Sequence, residues 1–187
     1  LVNQEAPADM PLEEKVTRRS VQLARIPVFA PLSEAEIERL ASTSKTRVYA
    51  SGESIVEQGA EGTSMFVITR GSVNVVLRRG QRTEIINSLG EDDFFGEMSL
   101  LTGQPRSATV VATSETEVLQ IGKRALKPIL ENNEALVLAV SDRIQERLKK
   151  LSENEVVVGE LQEADAKSTG MIRSIRKFFG LKGQKGD

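Results

Sequence analysis

Short runs of apolar and β-branched residues, separated by glycines at close intervals, fill the middle of this 187-residue chain. The runs lie at residues 48, 55–56, 65–68, 73–77, 83–89, 109–111 and 118–121. The glycines that separate them are Gly52, Gly59, Gly62, Gly71, Gly80 and Gly90. Runs this short with regular turn signals predict β-strands joined by tight turns. We therefore expect an α+β, mainly β fold built as an antiparallel β jelly-roll barrel, and not a βαβ fold.

Helical spacing flanks the predicted strands on both sides. Residues 12–25 have the spacing of an amphipathic helix, with Val16, Val21 and Leu23 among charges. A second helix should begin at Ser33, because Glu36 completes a capping box three residues later. It should run to about residue 42, with Leu32 and Ile37 at the positions of a hydrophobic staple. A short helix in the cassette described below and two C-terminal helices complete the expected set.

The two C-terminal helices are predicted at residues 124–132 and 134–151. Pro128 lies inside the first of them, where it should kink the helix or limit its first turn. The second helix carries apolar residues at nearly every fourth position, which gives it one apolar face.

These patterns divide the chain into consecutive segments. They are a disordered lead (1–10), N-terminal helices (11–45), a β-roll (46–122) that includes a cassette (95–109), two C-terminal helices (123–151), an acidic linker (152–167) and a basic amphipathic tail (168–187). The chain begins without methionine or a signal pattern. We therefore expect a soluble piece of a longer protein, or a chain whose start has been removed.

Residues 95–109, Phe-Gly-Glu-Met-Ser-Leu-Leu-Thr-Gly-Gln-Pro-Arg-Ser-Ala-Thr, carry the chemistry of the chain. Gly96 and Glu97 stand at a predicted helix start, whose unpaired N–H groups and positive dipole end suit an anion. Arg106 adds a planar, permanently charged group for phosphate oxygens. Glu97 repels phosphate and only accepts hydrogen bonds, so it suits a sugar hydroxyl. The segment therefore predicts a compact nucleotide as ligand.

Two absences from the composition exclude other kinds of site. The chain has no cysteine, which excludes disulfide scaffolds, thiolate zinc sites and cysteine nucleophiles. It has no histidine, which excludes Ser-His-Asp hydrolysis, histidine-ligated metal oxygenases and most general-base chemistry near neutral pH. We therefore expect no enzyme, no metal and no cofactor apart from the ligand. Acidic and basic residues nearly balance, 27 against 25, so we expect no nucleic-acid partner.

The segment Phe-Gly-Glu-Met-Ser-Leu-Leu followed by Pro-Arg-Ser-Ala-Thr resembles the phosphate-binding cassette of cyclic-nucleotide-binding domains. The residues at the family's spacing are Gly96, Glu97, Pro105, Arg106, Ala108 and Thr109. The resemblance covers residues 26–150 and implies cAMP or cGMP as the ligand. It implies that the amides around Met98, Ser99 and Ala108 hold the cyclic phosphate, that Arg106 neutralises it, and that Glu97 binds the ribose 2′-hydroxyl. The alternatives are a metal-dependent jelly-roll enzyme, which normally needs histidines, and an interaction module that has lost its ligand.

Three further residues bear on the base. Val75 matches the position where the family packs an apolar side chain on the purine, and a plain core residue is the alternative. Arg147 matches the position where related bacterial channel domains bring an arginine over the base; a solvated helix charge is the alternative. Ser107 stands where alanine favours cAMP and threonine favours cGMP. Because serine also occurs in bacterial cAMP binders, we expect cAMP with weak discrimination against cGMP.

The resemblance also implies a mechanism, in which the C-terminal helices at 123–151 act as hinge and lid and move when ligand binds, and the helices at 12–42 transmit the change. The ending Arg-Ser-Ile-Arg-Lys-Phe-Phe-Gly-Leu looks like the tail of bacterial mechanosensitive-type channels with a C-terminal cyclic-nucleotide domain. The expected effector is therefore a bacterial membrane ion channel in the same longer chain, with this domain on the cytoplasmic side and oligomerisation through the effector. The alternative is a stand-alone sensor or a transporter regulatory module.

The tail itself has a pattern of its own. Residues 168–182 place Ile172, Ile175 and a Phe-Phe pair among basic residues, the pattern of a basic amphipathic segment. Such a segment lies on an anionic membrane surface or docks on a partner helix, and a free, frayed tail is the alternative.

Overall fold

The computed structural model describes residues 10–153 and 168–181. Within these ranges it leaves out the side chains of 147–153, 168, 169, 171, 174 and 178. The predicted disordered lead and acidic linker therefore lie almost entirely outside the described residues.

Eight strands form in the described part of the chain. They are β1 Lys45–Tyr49, β2 Ser54–Val56, β3 Ser64–Arg70, β4 Val73–Arg79, β5 Arg82–Leu89, β6 Phe94–Phe95, β7 Thr109–Ala112 and β8 Thr116–Gly122. All their pairings are antiparallel, and they build two four-stranded sheets, in the orders β1-β8-β3-β6 and β2-β7-β4-β5. This confirms the predicted fold class, as a roll of two sheets and not one closed barrel.

The described helices lie around this roll. They are α1 Leu12–Ala24, α2 Glu34–Thr43, α3 Glu97–Thr102, α4 Lys123–Asn132, α5 Glu134–Glu153 and α6 Ser168–Phe179, with a 3₁₀ turn at Pro27–Phe29. The predicted capping box of α2 is confirmed. The backbone N–H of Ser33 donates to Glu36 Oε2 at 2.8 Å, and the Glu36 N–H donates to Ser33 Oγ at 3.4 Å.

Two hydrophobic clusters lie on opposite faces of the sheet that contains β3. Successive side chains of a strand point to opposite faces, so Met65 and Val67 join the cluster beneath the helices, while Phe66 and Ile68 join the cluster inside the roll. The rings of Phe66 and Phe95 stack inside the roll with their centroids 5.2 Å apart. The sheet that contains β3 is thus packed on both of its faces.

Several details differ from the sequence predictions. The two-residue strand β6 pairs with β3 and was not predicted. On α1, Leu23 is buried, but Val21 is 56% exposed, so Val21 is not part of the buried face. Pro128 lies at the sixth residue of α4 and not in its first turn, and the helix continues past it to Asn132. No helix among the described residues combines the length and hydropathy that crossing a membrane requires.

The basic tail is helical, as its pattern predicted, and it is not free. Helix α6 packs against α3 and α5. Ile175 is 0% exposed and Phe179 1% exposed, and both belong to the cluster beneath the helices. The described apolar side chains of the tail, at Ile172, Ile175 and Phe179, are therefore covered by the rest of this same chain.

Candidate functional site

The predicted cassette forms a tight turn into a short helix. Gly96, the residue before α3, has a left-handed backbone with φ of +79°, which glycine adopts without strain. A β-carbon there would lie 2.7 Å from Arg106 Nη1 and 3.2 Å from the Ser64 carbonyl oxygen. Because Arg106 Nη1 donates to the Gly96 carbonyl at 2.8 Å, the glycine and the arginine form one unit.

The Arg106 guanidinium lies beneath the connection between β2 and β3. The backbone of Arg106 is bonded to the same connection. The Arg106 backbone N–H donates to the Ala60 carbonyl, and the Arg106 carbonyl accepts from the Gly59 N–H, both at 2.8 Å. A β-carbon on Gly62 would lie 2.3 Å from both Cζ and Nε of Arg106. The guanidinium carbon also lies 5.7 Å from the centroid of the Phe66 ring, within cation–π range. Backbone, aromatic ring and cassette together fix the orientation of this cation.

Arg106 and Glu97 are both buried, at 7% and 4% exposure. Burial lowers the pKa of the Arg106 guanidinium, and the charge of Glu97 acts in the opposite direction. An arginine stays protonated at neutral pH, so the site holds a cation and a carboxylate close enough to influence each other. Burying such charges costs free energy unless partners compensate.

A hollow of about 330 Å³ opens beside Arg106, within the range of roughly 300–1,000 Å³ typical of ligand pockets. Its lining comprises Ile55, Val56, Glu57, Ala60, Glu61, Gly62, Thr63, Ser64, Phe66, Arg106 and Gln120. Glu57 and Glu61 are exposed. The hollow therefore joins the roll interior to the cassette arginine, whereas Glu97 is not among its lining residues.

The other predicted site residues have different environments. Ser99 and Ala108 are buried at 1% and 8% exposure, and Ser107 is exposed. Met98 is half-buried and packs against the cluster beneath the helices. Two small residues of the cassette, Gly96 and Ala108, thus lie before and after Arg106 in the sequence.

Val75 and Arg147, two of the three residues predicted to contact the base, are not among the residues that line the hollow in the described part of the chain. Val75 is half-buried against the cluster inside the roll, next to a register shift between β4 and β5. Its contact with a purine therefore stays a prediction. Arg147 lies within α5, and its side chain is outside the described residues.

Sequence reasoning did not identify Gly62 and Phe66 as parts of the site. Gly62 was assigned only to a turn, although the backbone contact with Arg106 is what its missing side chain permits. Phe66 has the ordinary signal of a buried strand residue. Only the folded pairing of β3 with β6 and β8 brings it near the cassette.

A polar contact links the junction of α4 and α5 to the N-terminal helices. Asn133 Nδ2 donates to the Pro31 carbonyl at 3.0 Å and to the Glu36 carboxylate at 3.3 Å. Asn133 Oδ1 accepts from the Leu136 N–H at 3.0 Å, in the first turn of α5. A displacement at this junction would therefore pull on or break the hydrogen bonds to Pro31 and Glu36 at the start of α2.

The antiparallel roll, with its glycine-initiated cassette helix and a buried arginine bonded to that glycine, is similar to a cyclic-nucleotide-binding domain. Comparison with known families agrees with this class. Residues 46–133 match the family model described as the cyclic nucleotide-binding domain. The resemblance inferred from residues 95–109 is thus supported over the roll and α4.

The curated relatives include regulatory subunits of a kinase. The cAMP-dependent protein kinase regulatory subunit of Mycosarcoma maydis is 33% identical over 113 residues, which are 58% of this chain and 22% of that protein. The protein of the same description from Colletotrichum orbiculare is 30% identical over 122 residues, which are 64% of this chain and 31% of that protein. This chain thus spans less than a third of these two relatives. They are not domains appended to bacterial channels, so that subtype remains a prediction.

Solved structures share the fold. The structure described as cAMP-bound PfPKA-R superposes with a TM-score of 0.70 at 22% identity, over 79% of this chain and 50% of that one. The Thermus thermophilus catabolite activator protein gives a TM-score of 0.62 at 26% identity, over 69% of this chain and 61% of that one. The two-sheet roll with its flanking helices is therefore shared with these proteins.

Proposed function

We propose that this chain contains a cyclic-nucleotide-sensing regulatory domain that binds cAMP in preference to cGMP. One observation carries the proposal: Arg106 is buried, interacts with the charge of the buried Glu97, donates to the carbonyl of Gly96, and lines a hollow of ligand size. The family match over residues 46–133 supports it, and so does the name of the kinase regulatory relatives.

In this proposal the cassette residues divide the ligand between them. Arg106 pairs with the negatively charged cyclic phosphate, and the main-chain amides around Met98, Ser99 and Ala108 complete its coordination. Glu97 accepts a hydrogen bond from the free 2′-hydroxyl of the ribose. Each charge-assisted hydrogen bond contributes about 1.5–3 kcal/mol to binding. Gly96 provides the close approach of backbone to ligand.

We propose three contacts to the base. Val75 packs on the purine from the roll, Arg147 covers it from α5, and Ser107 sets the modest preference between the two bases. Because Ser107 is exposed in the described structure, its hydroxyl is accessible to a base edge.

Signalling in this proposal depends on ligand preferring one of two arrangements of the helices. Helix α4 acts as the hinge and α5 as the lid, while the roll with its two hydrophobic clusters stays rigid. The hydrogen bonds of Asn133 to Pro31 and Glu36 offer a direct route from the hinge to α2. The domain thus regulates by binding, and we propose no catalysis.

We propose two alternatives for the effector that the domain controls. The tail motif is the support for a bacterial membrane channel in a longer chain, with this domain on its cytoplasmic side and subunits joined through the channel. The kinase regulatory relatives favour a regulator without a channel. Membrane fractionation of the full-length protein distinguishes the two. A channel remains in the membrane fraction, and a regulator without a channel does not.

Thermal unfolding in the presence of nucleotides tests the proposed function. A ligand that binds only the native state stabilises it by about 2.7 kcal/mol at a hundredfold excess over Kd. We expect cAMP, and less strongly cGMP, to raise Tm with the logarithm of concentration. The control is 5′-AMP, which lacks the cyclic diester, and it should have a much smaller effect. A Tm that stays constant with both cyclic nucleotides would overturn the proposal.

A further inference from the structure

Helix α6 is anchored in the core by its apolar face. Ile175 and Phe179 are fully buried in the cluster beneath the helices. Ile172 and Leu181 pack against the same cluster from its edge. Helix α6 ends at Phe179, before Gly180 with its φ of +65°, and the Leu181 N–H bonds back to the Arg176 carbonyl at 2.9 Å. The described tail thus has a defined C-terminal end and docks on one surface of the cluster beneath the helices, which we call the seat of α6.

Charged contacts fix the edges of this seat. Arg176 of α6 forms an ion pair with Glu134, the first residue of α5. The Lys123 ammonium group, at the first residue of α4, lies 5.3 Å from the centroid of the Phe179 ring. This distance is within the range of a favourable cation–π contact.

The seat of α6 therefore spans three separate elements. One is the cassette helix α3, and the others are the starts of α4 and α5. These are the elements that must move relative to one another if ligand at the cassette is to shift the hinge and the lid. A helix bound across all three holds them in one arrangement.

We propose that α6 is an autoinhibitory strap, which favours one arrangement of α3, α4 and α5 and opposes the arrangement that cyclic nucleotide stabilises. The proposal rests on the proposed function. Linkage makes the effect reciprocal: docked α6 weakens nucleotide binding, and bound nucleotide weakens the docking of α6 by the same factor. Release would expose the apolar face that is now covered.

Reversal of one charge in the full chain tests the strap without removing a core side chain. Arg176→Glu places two carboxylates together at Glu134, and we expect calorimetry to show cAMP binding about five-fold tighter or more. The double variant Glu134→Arg/Arg176→Glu should restore the parent affinity. Lys177→Glu makes the same change of charge at an exposed position of α6 and serves as the matched control.

A second readout monitors the helix itself. Hydrogen exchange of residues 168–179 should speed up when cAMP saturates the parent chain. Unchanged or weaker cAMP binding in Arg176→Glu, or equal exchange of α6 with and without cAMP, would overturn the strap while leaving the sensor intact. If neither the parent nor any variant binds cAMP or cGMP, the proposed function falls and the strap falls with it.

Discussion

At the scale of single residues, the orientation of Arg106 depends on two positions that have no side chain. Gly96 supplies the carbonyl to which the guanidinium donates, and Gly62 lets the β2–β3 connection lie directly on it. Gly62 has no positive φ, so its role comes from space and not from backbone strain. The cation is thus positioned by close backbone approach, which a charge count along the sequence does not reveal.

We predict that Gly62→Ala weakens cAMP binding about ten-fold or more. The added methyl group would meet Arg106 Cζ at 2.3 Å and displace the guanidinium, with the loss of about one charge-assisted hydrogen bond. Gly90→Ala is the matched control, since a β-carbon there has nothing within 4 Å. Calorimetry of both variants checks the prediction, and equal affinities would show that the guanidinium does not need this position.

Glu36 should make stability depend on pH. The hydrogen bond from the Ser33 backbone is the main cause that lowers the pKa of Glu36 from 4.5, and side-chain bonds from Ser33 and Asn133 act in the same direction, against desolvation. Since the folded pKa lies below the unfolded value, the ionised carboxylate stabilises the fold above pH 4.5. That contribution is lost as pH falls through the folded pKa.

We therefore expect Glu36→Gln to be less stable than the parent at neutral pH, with the difference disappearing in acid. Urea unfolding at several pH values measures it. Glu38→Gln changes an exposed carboxylate of the same helix and provides the control. A difference between Glu36→Gln and the parent that is constant across the pH range would contradict the assignment.

At the scale of elements, Asn133 joins helices α2 and α5 through one side chain. It accepts from the first turn of α5 and donates to the Pro31 carbonyl and to Glu36. Helix capping by asparagine is well established, and Asn133 adds to it a tertiary contact over about a hundred residues of sequence. This contact connects the proposed hinge with the N-terminal helices.

We predict that Asn133→Ala lowers the free energy of unfolding by about 1–2 kcal/mol, from the lost cap and the lost bonds to α2. Asn132→Ala is the matched control, because Asn132 is exposed and bonds only within its own helix, to the Pro128 carbonyl, among the described contacts. Urea unfolding compares the two variants. Equal losses would mean that the contact with α2 contributes nothing beyond helix capping.

Local sequence signals predicted most elements, because strand propensity, glycine turns and the capping box act over a few residues. The strand β6 escaped because two residues carry no periodicity, and its pairing with β3 is a tertiary event. Pro128 was expected to kink α4 or limit its first turn, yet α4 continues through Pro128 to Asn132. The docking of α6 also had no local signal, since an amphipathic helix looks the same whichever surface covers it.

At the scale of the whole molecule, the candidate site depends on pairings distant in sequence. The residues of the cassette were predicted from their own spacing, and the structure brings Gly96, Glu97 and Arg106 together. The hollow was not predictable, because its lining comes from β2, β3, β8 and the connection above Arg106. The predicted base contacts also do not follow from local sequence, since Val75 packs against the cluster inside the roll.

At this scale, hydrophobic clusters pack on both faces of the sheet that contains β3, and α3, α4 and α5 surround the seat of α6. Removing the ring of Phe179 should destabilise the helical side by about 3–5 kcal/mol, as expected for a fully buried aromatic residue. Urea unfolding of Phe179→Ala measures this, and a loss below 1 kcal/mol would mean that α6 is not docked in solution.

The most direct test of the central claim is calorimetric titration of cAMP into the parent chain and into Arg106→Ala. The claim is that a buried guanidinium beside Glu97 binds the cyclic phosphate, so the parent should bind one cAMP and the variant should bind it about ten- to a hundred-fold more weakly. Arg39→Ala, which removes an exposed arginine of α2, should bind like the parent. Equal affinity of Arg106→Ala and the parent would contradict the account.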